Sequence, residues 1–465
     1  MTIPVDWTAV GPAVIVMAGA LVALLVDAFY PRRTWLGSWL PAVLALLAAT
    51  VELVRSDSAP YPFAFSLIVL LGTTFVVVAS MVMNFENAMP PGEYHFLLLS
   101  AGTGALLLVT ARDLATLVVA LELVSLPSIA LVGLRQGDGR AIRSAWTFFL
   151  ASAISTAITL MGVALLYGST GSLDYDVIRE ALVEPDVPDS VVAVAVVLTV
   201  VGLLFKLGAV PFHAWVPDAY GGASVMAAGF LSAVSKAAAL GALLVLLAVA
   251  LPHASQSWQP LVAVAAAVTM TIGNIGALRQ DDAVGLLAWS SIAQAGFLLA
   301  PAAALFSTHG LTAPVQYLAV YVLANLVAFA TLAVVLRLRG STRFDELRGM
   351  LRTDPWMGVP LAFATLTLAG FPPAIIGLVT KYVVIRPVVG SDHAWLAVVM
   401  GLNVMLGLAY YLRILVVLCD RPDGEPYVSP SPPFSVRVAK SSVLVGTATL
   451  VALSVWPDLL LSRLP

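Results

Sequence analysis

Charge is what this chain has least of. Of 465 residues only 11% are charged and 60% are hydrophobic, with a mean hydropathy of +0.98. A soluble domain carries roughly 25% charged residues, so the composition excludes a soluble globular protein. Cysteine is nearly absent as well. Cys419 stands alone, which excludes an internal disulfide and any cysteine-ligated cluster. The histidines His95, His213, His253, His309 and His393 are far apart and lack metal-ligand spacing. There is no Gly-rich dinucleotide fingerprint and no phosphate loop. The chain is therefore expected to hold no metal, no cofactor of its own and no nucleic acid.

What is present is apolar sequence in long runs. A run of ~20 apolar residues crosses a ~30 Å hydrocarbon core as a helix. Fourteen such runs can be read, at about 9–29, 35–54, 63–84, 95–110, 114–134, 145–168, 190–210, 223–251, 259–278, 283–303, 312–338, 358–385, 394–418 and 438–461. Runs of this strength exclude a β-barrel, whose strands alternate weakly over short segments. The expected fold is an all-α polytopic membrane protein, and nothing between the runs is long enough for a soluble domain.

The N-terminus does not read as a secretory signal. Asp6 precedes the first run, and no basic residue comes before Arg32 and Arg33 at its far end. With the N-terminus outside, the inner loops hold Arg32, Arg33, Arg135, Arg140, Arg143, Arg279, Arg337, Arg339, Arg343, Arg348, Arg352, Arg421, Arg437 and Lys440. The outer loops hold only Arg55, Arg112, Arg179, Arg386 and Arg463. Cytoplasmic loops carry the excess of Lys and Arg, so both termini are expected outside a bacterial inner membrane, in a lipid environment.

The linkers are Pro-rich and acidic at 86–93, acidic at 174–189, basic at 337–352 and Pro-rich at 422–433. Two spans are interrupted. In the seventh, Pro211 follows Lys206 and the polar stretch from His213 to Asp218 leads into the eighth. In the twelfth, Pro372 and Pro373 precede Lys381. Proline removes an intrahelical hydrogen bond and breaks the helix. Breaks at matching places in two halves point to inverted repeats around a membrane-embedded ion site. The expected organisation is an N-terminal three-span segment (1–94), a first five-span repeat (95–252, spans four to eight), a second, inverted one (253–420, spans nine to thirteen), and a C-terminal span (421–465). Lys206 and Lys381 are expected as rough counterparts. Trp35, Trp39, Tyr61, Tyr94, Trp258 and Trp356 fall near span ends, where aromatic rings anchor at the interface.

Ionisable groups inside the spans carry the functional signal. Three of the four lysines, Lys206, Lys236 and Lys381, lie within apolar runs, and Glu122 lies mid-span in another. A charge at bilayer depth costs at least ~2.5 kcal/mol on insertion scales and usually faces a polar path. Burial favours neutral lysine, which readies the group to exchange protons. Glu122 reads either as a partner governing such a lysine or as a tie between two helices. Lys381 lies near a span end, within reach of the interface by snorkelling, and Arg413 reads as a snorkelling or structural cation. His213, beside a break, reads equally as a proton relay or as a helix cap. Ser290, Ser291 and Gln294 place polar groups inside the tenth span, to hold water or to join helices.

The stretch from Phe205 to Tyr220, FKLGAVPFHAWVPDAY, resembles the seventh-span signature of the antiporter-like membrane subunits of respiratory complex I. Its form is that of subunit N of bacterial NADH–quinone oxidoreductase rather than of L or M. Phe230 to Lys236, Glu122-Leu123 with Ser125-Leu126-Pro127, and Ser290 to Gly296 are similar to the same subunit. Gly222-Ala223-Ser224-Val225 departs from the Ala-Pro-Thr common in the family. The resemblance implies a glutamate–lysine pair at Glu122 and Lys206, a central lysine at Lys236, and the lysine of the second broken helix at Lys381.

It further implies a proton-translocating subunit of the complex I membrane arm beside subunits resembling K, M and A/J, with FMN, iron–sulfur clusters and quinone on partner subunits and no redox site here. In that scheme protons enter from the cytoplasm beside the broken seventh helix and load Lys206. Release of Glu122's attraction passes the proton to Lys236, and Lys381 hands it outward, driven by quinone reduction elsewhere. Moving a charge against 100 mV costs ~2.3 kcal/mol. Two readings stand against it: a multisubunit cation/proton antiporter or membrane-bound hydrogenase subunit, and a structural subunit whose buried charges only hold the assembly.

Overall fold

The computed structural model describes residues 7–29, 37–56, 58–83, 89–184, 187–421 and 433–464. Asp6, Arg32, Arg33, Trp35, the first part of the linker at 86–93 and most of that at 422–433 lie outside the described residues, as do the two chain ends. The described residues are helical, with two isolated bridges and no longer strand.

Twelve of the helices are long and apolar enough to cross a membrane. Two further predicted spans correspond to Trp39–Arg55, a helix of 17 residues, and to a twelfth span divided into Pro355–Ala369 and Ile375–Val389. Span four runs Pro91–Thr110, five Leu114–Gly133, six Gly139–Thr170 and seven Asp189–Leu207. Span eight starts at Val225 and ends in a π-turn over Leu246–Ala250. Nine is Ser255–Leu278, ten begins at Ala283, eleven is Thr312–Arg339, thirteen Ala394–Cys419 and fourteen Phe434–Val455.

Span six is longer than its apolar run because its first turn carries Arg140 and Arg143, which hydropathy rejects. The helix starts where Asp138 accepts from the backbone N–H of Arg140 and Ala141, an ordinary N-cap. Spans four and fourteen likewise begin earlier than their apolar runs, at Pro91 and Phe434.

Spans eight, ten and eleven are buried along nearly their whole length, whereas six, thirteen and fourteen leave most of theirs open. In a membrane, small residues allow close helix approach. Spans six and seven meet this way: a Cβ on Gly162 would lie 2.3 Å from the Thr199 nitrogen, and one on Gly202 would lie 2.6 Å from Thr159 Oγ1.

Two loop arrangements occur twice. Asp113 bridges Asp174, and Asp282 bridges Arg343. Leu114 N donates to Leu173 O at 2.9 Å and Tyr175 N to Arg112 O at 3.1 Å; Ala283 N donates to Thr342 O at 3.0 Å and Phe344 N to Asp281 O at 3.3 Å. Each aspartate also caps the following helix, Asp113 through Thr116 N and Asp282 through Gly285 N. The starts of spans five and ten are thus tied in the same way to the chain that follows spans six and eleven.

The breaks in spans seven and twelve repeat as well. Leu207 is followed by Gly208 at φ +72°, and Ala369 by Gly370 at φ +72°. This left-handed conformation is open to glycine without a Cβ penalty. Ala209 N returns to Leu204 O, and Phe371 N to Leu366 O. The Val210–Pro211 and Pro372–Pro373 peptides are cis.

This alignment corrects the pairing of the two lysines. Lys206 lies before its break, opposite Leu368 in the other half. Lys381 lies after its break, in Ile375–Val389. The expected belt also needs correction. Tyr94 and Trp258 are fully buried, and Trp258 Nε1 donates to Leu251 O at 2.9 Å. An indole whose N–H finds a backbone partner inside the bundle does not need the interface. Trp356, at 68% exposed, does face outward.

Candidate functional site

A helix broken inside a bundle leaves its last carbonyls without intrahelical donors. Both breaks are capped by side chains from beyond the break. Trp215 Nε1 donates to Phe205 O at 3.2 Å in span seven. In span twelve the Lys381 ammonium donates to Ala369 O at 2.6 Å, 5.3 Å from the Phe297 ring centroid. Lys381 is 4% exposed. Its side chain folds back into the break and does not snorkel to the interface.

Lys206 points from span seven towards span five, where its ammonium donates to Ser125 Oγ at 3.1 Å. The Phe148 ring centroid lies 5.6 Å away. Glu122, half-buried one turn before Ser125, accepts from Thr156 Oγ1 at 2.5 Å. Glu122 and Lys206 line one small cavity. No oxygen of Glu122 comes within the 4.0 Å of an ion pair with Lys206 among the described residues. They are neighbours across a gap.

Lys236 sits mid-bundle on span eight with no exposed surface, and its ammonium donates to Ser291 O of span ten at 2.6 Å. From there polar groups continue. Ser290 Oγ and Tyr411 OH are 2.5 Å apart, and Gln294 Nε2 donates to Tyr411 OH at 3.0 Å and to Leu368 O at 3.1 Å. The Tyr317 hydroxyl donates to Gln294 Oε1. Leu368 adjoins Ala369, whose carbonyl holds Lys381. Lys236 and Lys381 therefore lie at the two ends of one line of polar groups carried by spans ten, twelve and thirteen.

Ser291 and Gln294 are in this line. His213 is not. Its ring meets Trp289 of span ten edge-on, with centroids 6.0 Å apart, and neither Lys206 nor Lys236 bonds to it. Arg413 pairs with Asp281 at 2.8 Å, donates to Gln280 O at 3.0 Å and covers the Phe344 ring.

A cavity of 690 Å³ opens at the ends of spans five, nine and eleven, where Arg135, Arg140, Arg337 and Arg343 face Asp218 and Asp282. Its lining includes Tyr220, just past the break of span seven. Ser291 Oγ donates to the Tyr220 hydroxyl at 3.4 Å, a long bond, and so connects the cavity to the residue that holds Lys236.

A protein-family model described as NADH:quinone oxidoreductase/Mrp antiporter, transmembrane, matches residues 111–407. A protein named NADH-quinone oxidoreductase subunit N 2, from Streptomyces griseus subsp. griseus, is 40% identical over 491 aligned positions, covering 99% of this chain and 92% of that protein. This chain belongs to the subunit N family of NADH–quinone oxidoreductase. In the structure of respiratory complex I from Thermus thermophilus with bound aureothin, one chain has the same fold, with a TM-score of 0.78 and 30% identity over 97% of this chain and 98% of that one. A chain of the Mrp complex from Dietzia sp. DQ12-45-1b shares the fold at TM-score 0.84 and 22% identity, over 99% and 96% of the two chains.

In this subunit N relative the seventh-span motif is the break itself: Lys206 and Leu207 end the first half, Gly208 to Ala214 make the gap, and Trp215 caps it. Sequence reasoning did not single out Thr156, Tyr317 or Tyr411. For Thr156 a signal exists, since Ser152, Ser155, Thr156 and Thr159 recur at helical spacing along one face of span six.

Proposed function

We propose that this chain is a membrane-arm subunit of a bacterial NADH–quinone oxidoreductase and that it conducts protons through Glu122, Lys206, Lys236 and Lys381. The observation that carries the proposal is the polar line from Lys236 on the Ser291 carbonyl, through Ser290, Tyr411 and Gln294, to the Leu368 and Ala369 carbonyls and Lys381. Buried lysines that merely filled space would leave no reason for spans ten, eleven and thirteen to supply Ser290, Gln294, Tyr317 and Tyr411 between them.

In this reading protons are taken up through the 690 Å³ cavity and move along the Tyr220 and Ser291 hydroxyls towards Lys236, whose ammonium rests on the Ser291 carbonyl. Lys206 communicates with Lys236 across the capped break, with Glu122 setting how firmly Lys206 holds its proton. Lys381 delivers the proton to the outer side. His213 acts here as part of the break, packed on Trp289. Moving one charge against 100 mV requires ~2.3 kcal/mol. A carboxylate whose effect on an ammonium changes by that amount suffices at the low effective dielectric of a bundle core. The drive is quinone reduction in neighbouring subunits, which also hold the FMN and iron–sulfur clusters.

The repeated bridges and repeated breaks support two five-span units at 95–252 and 253–420, inverted because five crossings separate their starts. The basic loops support an inner membrane location with both termini outside.

The test uses Lys206→Met and Lys236→Met complexes in inverted vesicles, with assembly checked on native gels. NADH–quinone turnover and acidification are recorded together. Lost pumping in an assembled complex is the expected result. Normal pumping at normal turnover removes both lysines from the path, and failed assembly with no pumping defect in the assembled fraction makes the buried charges structural.

A further inference from the structure

We propose that the small cavity between spans five, six and seven is a site for one fixed water, and that Ser155 and Thr156 of span six use it to couple Glu122 to Lys206. The proposal rests on the proton-conduction reading above and deepens it by assigning two positioning residues.

The cavity measures 10 Å³, and its lining includes Glu122, Ser125, Ser155, Thr156, Thr159 and Lys206. Holding one water takes roughly 10–15 Å³ of probe-occupied volume and two to four polar partners. Apolar cavities of this size stay dry, but this one is ringed by hydroxyls, a carboxylate and an ammonium. The second observation is independent of size. Ser155 Oγ is buried, at 2% residue exposure, and has no hydrogen-bond partner. A buried hydroxyl is rarely left without a partner. Two span-six hydroxyls beside it are satisfied, since Thr159 Oγ1 donates to Ser155 O at 2.9 Å and Thr156 Oγ1 to Glu122.

The donor count at Lys206 agrees. An ammonium has three N–H donors, and only Ser125 Oγ takes one. Ser125 Oγ in turn donates to Leu121 O at 2.7 Å, so it receives from Lys206 as an acceptor. A water in the cavity accepts from Lys206 and donates towards Glu122 or Ser155. Glu122 and Lys206 then interact through one water, without direct contact. Thr156 donates to Oε1 and holds the carboxyl group aimed at the cavity. A water-bridged pair separates and re-forms without moving a helix, which suits a couple that must change strength in each cycle.

The experiment has two arms, both in the intact complex. A high-resolution map is examined for ordered density at hydrogen-bond distance from Ser155 Oγ. Thr156→Val, Thr156→Ser and Ser155→Ala are assayed for turnover and pumping beside Glu122→Gln and Lys206→Met.

Density is expected at Ser155. Thr156→Val is expected to slow coupled turnover about tenfold, as for loss of a hydrogen bond to a charged group. Thr156→Ser restores it to within about twofold, because the hydroxyl remains. Adding Thr156→Val to Glu122→Gln brings no further loss. An empty cavity in a map that shows other buried waters overturns the proposal. So does a wild-type Thr156→Val complex while Lys206→Met is inactive. If instead Glu122→Gln and Lys206→Met both pump normally, the proton-path reading fails, and the map alone decides the water.

Discussion

Gln294 joins four spans, and replacing it with methionine removes polar atoms while nearly preserving volume. Three hydrogen bonds are lost: to Leu368 O, to Tyr411 OH and from Tyr317 OH. The Leu368 carbonyl matters most. It is one of the last in Pro355–Ala369, where the break removes its helical donor, and the methionine thioether has no N–H to offer it. At ~0.6 kcal/mol per interhelical hydrogen bond in a membrane protein the three sum to about 2 kcal/mol. A cost of ~1–3 kcal/mol per orphaned buried group would raise that total. Taking the lower figure, and placing the loss on the native side of the unfolding barrier, thermal inactivation of the purified complex should speed up by roughly thirtyfold at tenfold per 1.4 kcal/mol. The assay is the half-life of NADH–quinone activity at fixed temperature, with pumping measured before heating. Under the proposed proton path, delivery to Lys381 should also weaken, since the line is cut midway. A half-life within about twofold of wild type together with full pumping would refute the reasoning, because it would mean that neither the cap nor the line depends on Gln294.

Two further predictions concern packing and orientation. Gly162→Ala would put a Cβ 2.3 Å from the Thr199 backbone nitrogen, which cannot swing aside. Overpacking of ~1–3 kcal/mol is expected, read as reduced assembly on native gels, whereas Gly168→Ala in the same helix meets open space and should assemble normally. Cys419, exposed at the end of span thirteen, is the chain's one thiol. A membrane-impermeant maleimide should label this subunit in inverted vesicles and not in right-side-out cells; the reverse pattern would overturn the proposed orientation.

Much of this molecule is legible from its residues. The apolar runs follow from the cost of unpaired backbone in lipid, so their number and rough limits are readable without a structure. Pro211, Pro372 and Pro373 announce the breaks because proline cannot continue the hydrogen-bond ladder. The rarity of charge in these runs singles out Glu122, Lys206, Lys236 and Lys381 before any neighbour is known. The motif from Phe205 to Tyr220 is dense enough to indicate the family.

Facing is what the sequence leaves open. In a soluble helix the apolar stripe tells which side is buried. In a membrane both lipid and protein interior accept apolar side chains, so periodicity reports depth and not direction. Trp258 therefore reads as an interface anchor although it is fully buried, and for Lys381 snorkelling stays open beside a functional role although its side chain caps a broken helix. That Lys236 and Lys381 share one polar line, while Lys206 and Glu122 share a cavity with the span-six hydroxyls, depends on which helix faces abut. Close approach at residues such as Gly162 and Gly202 decides that, and only the tertiary structure shows it.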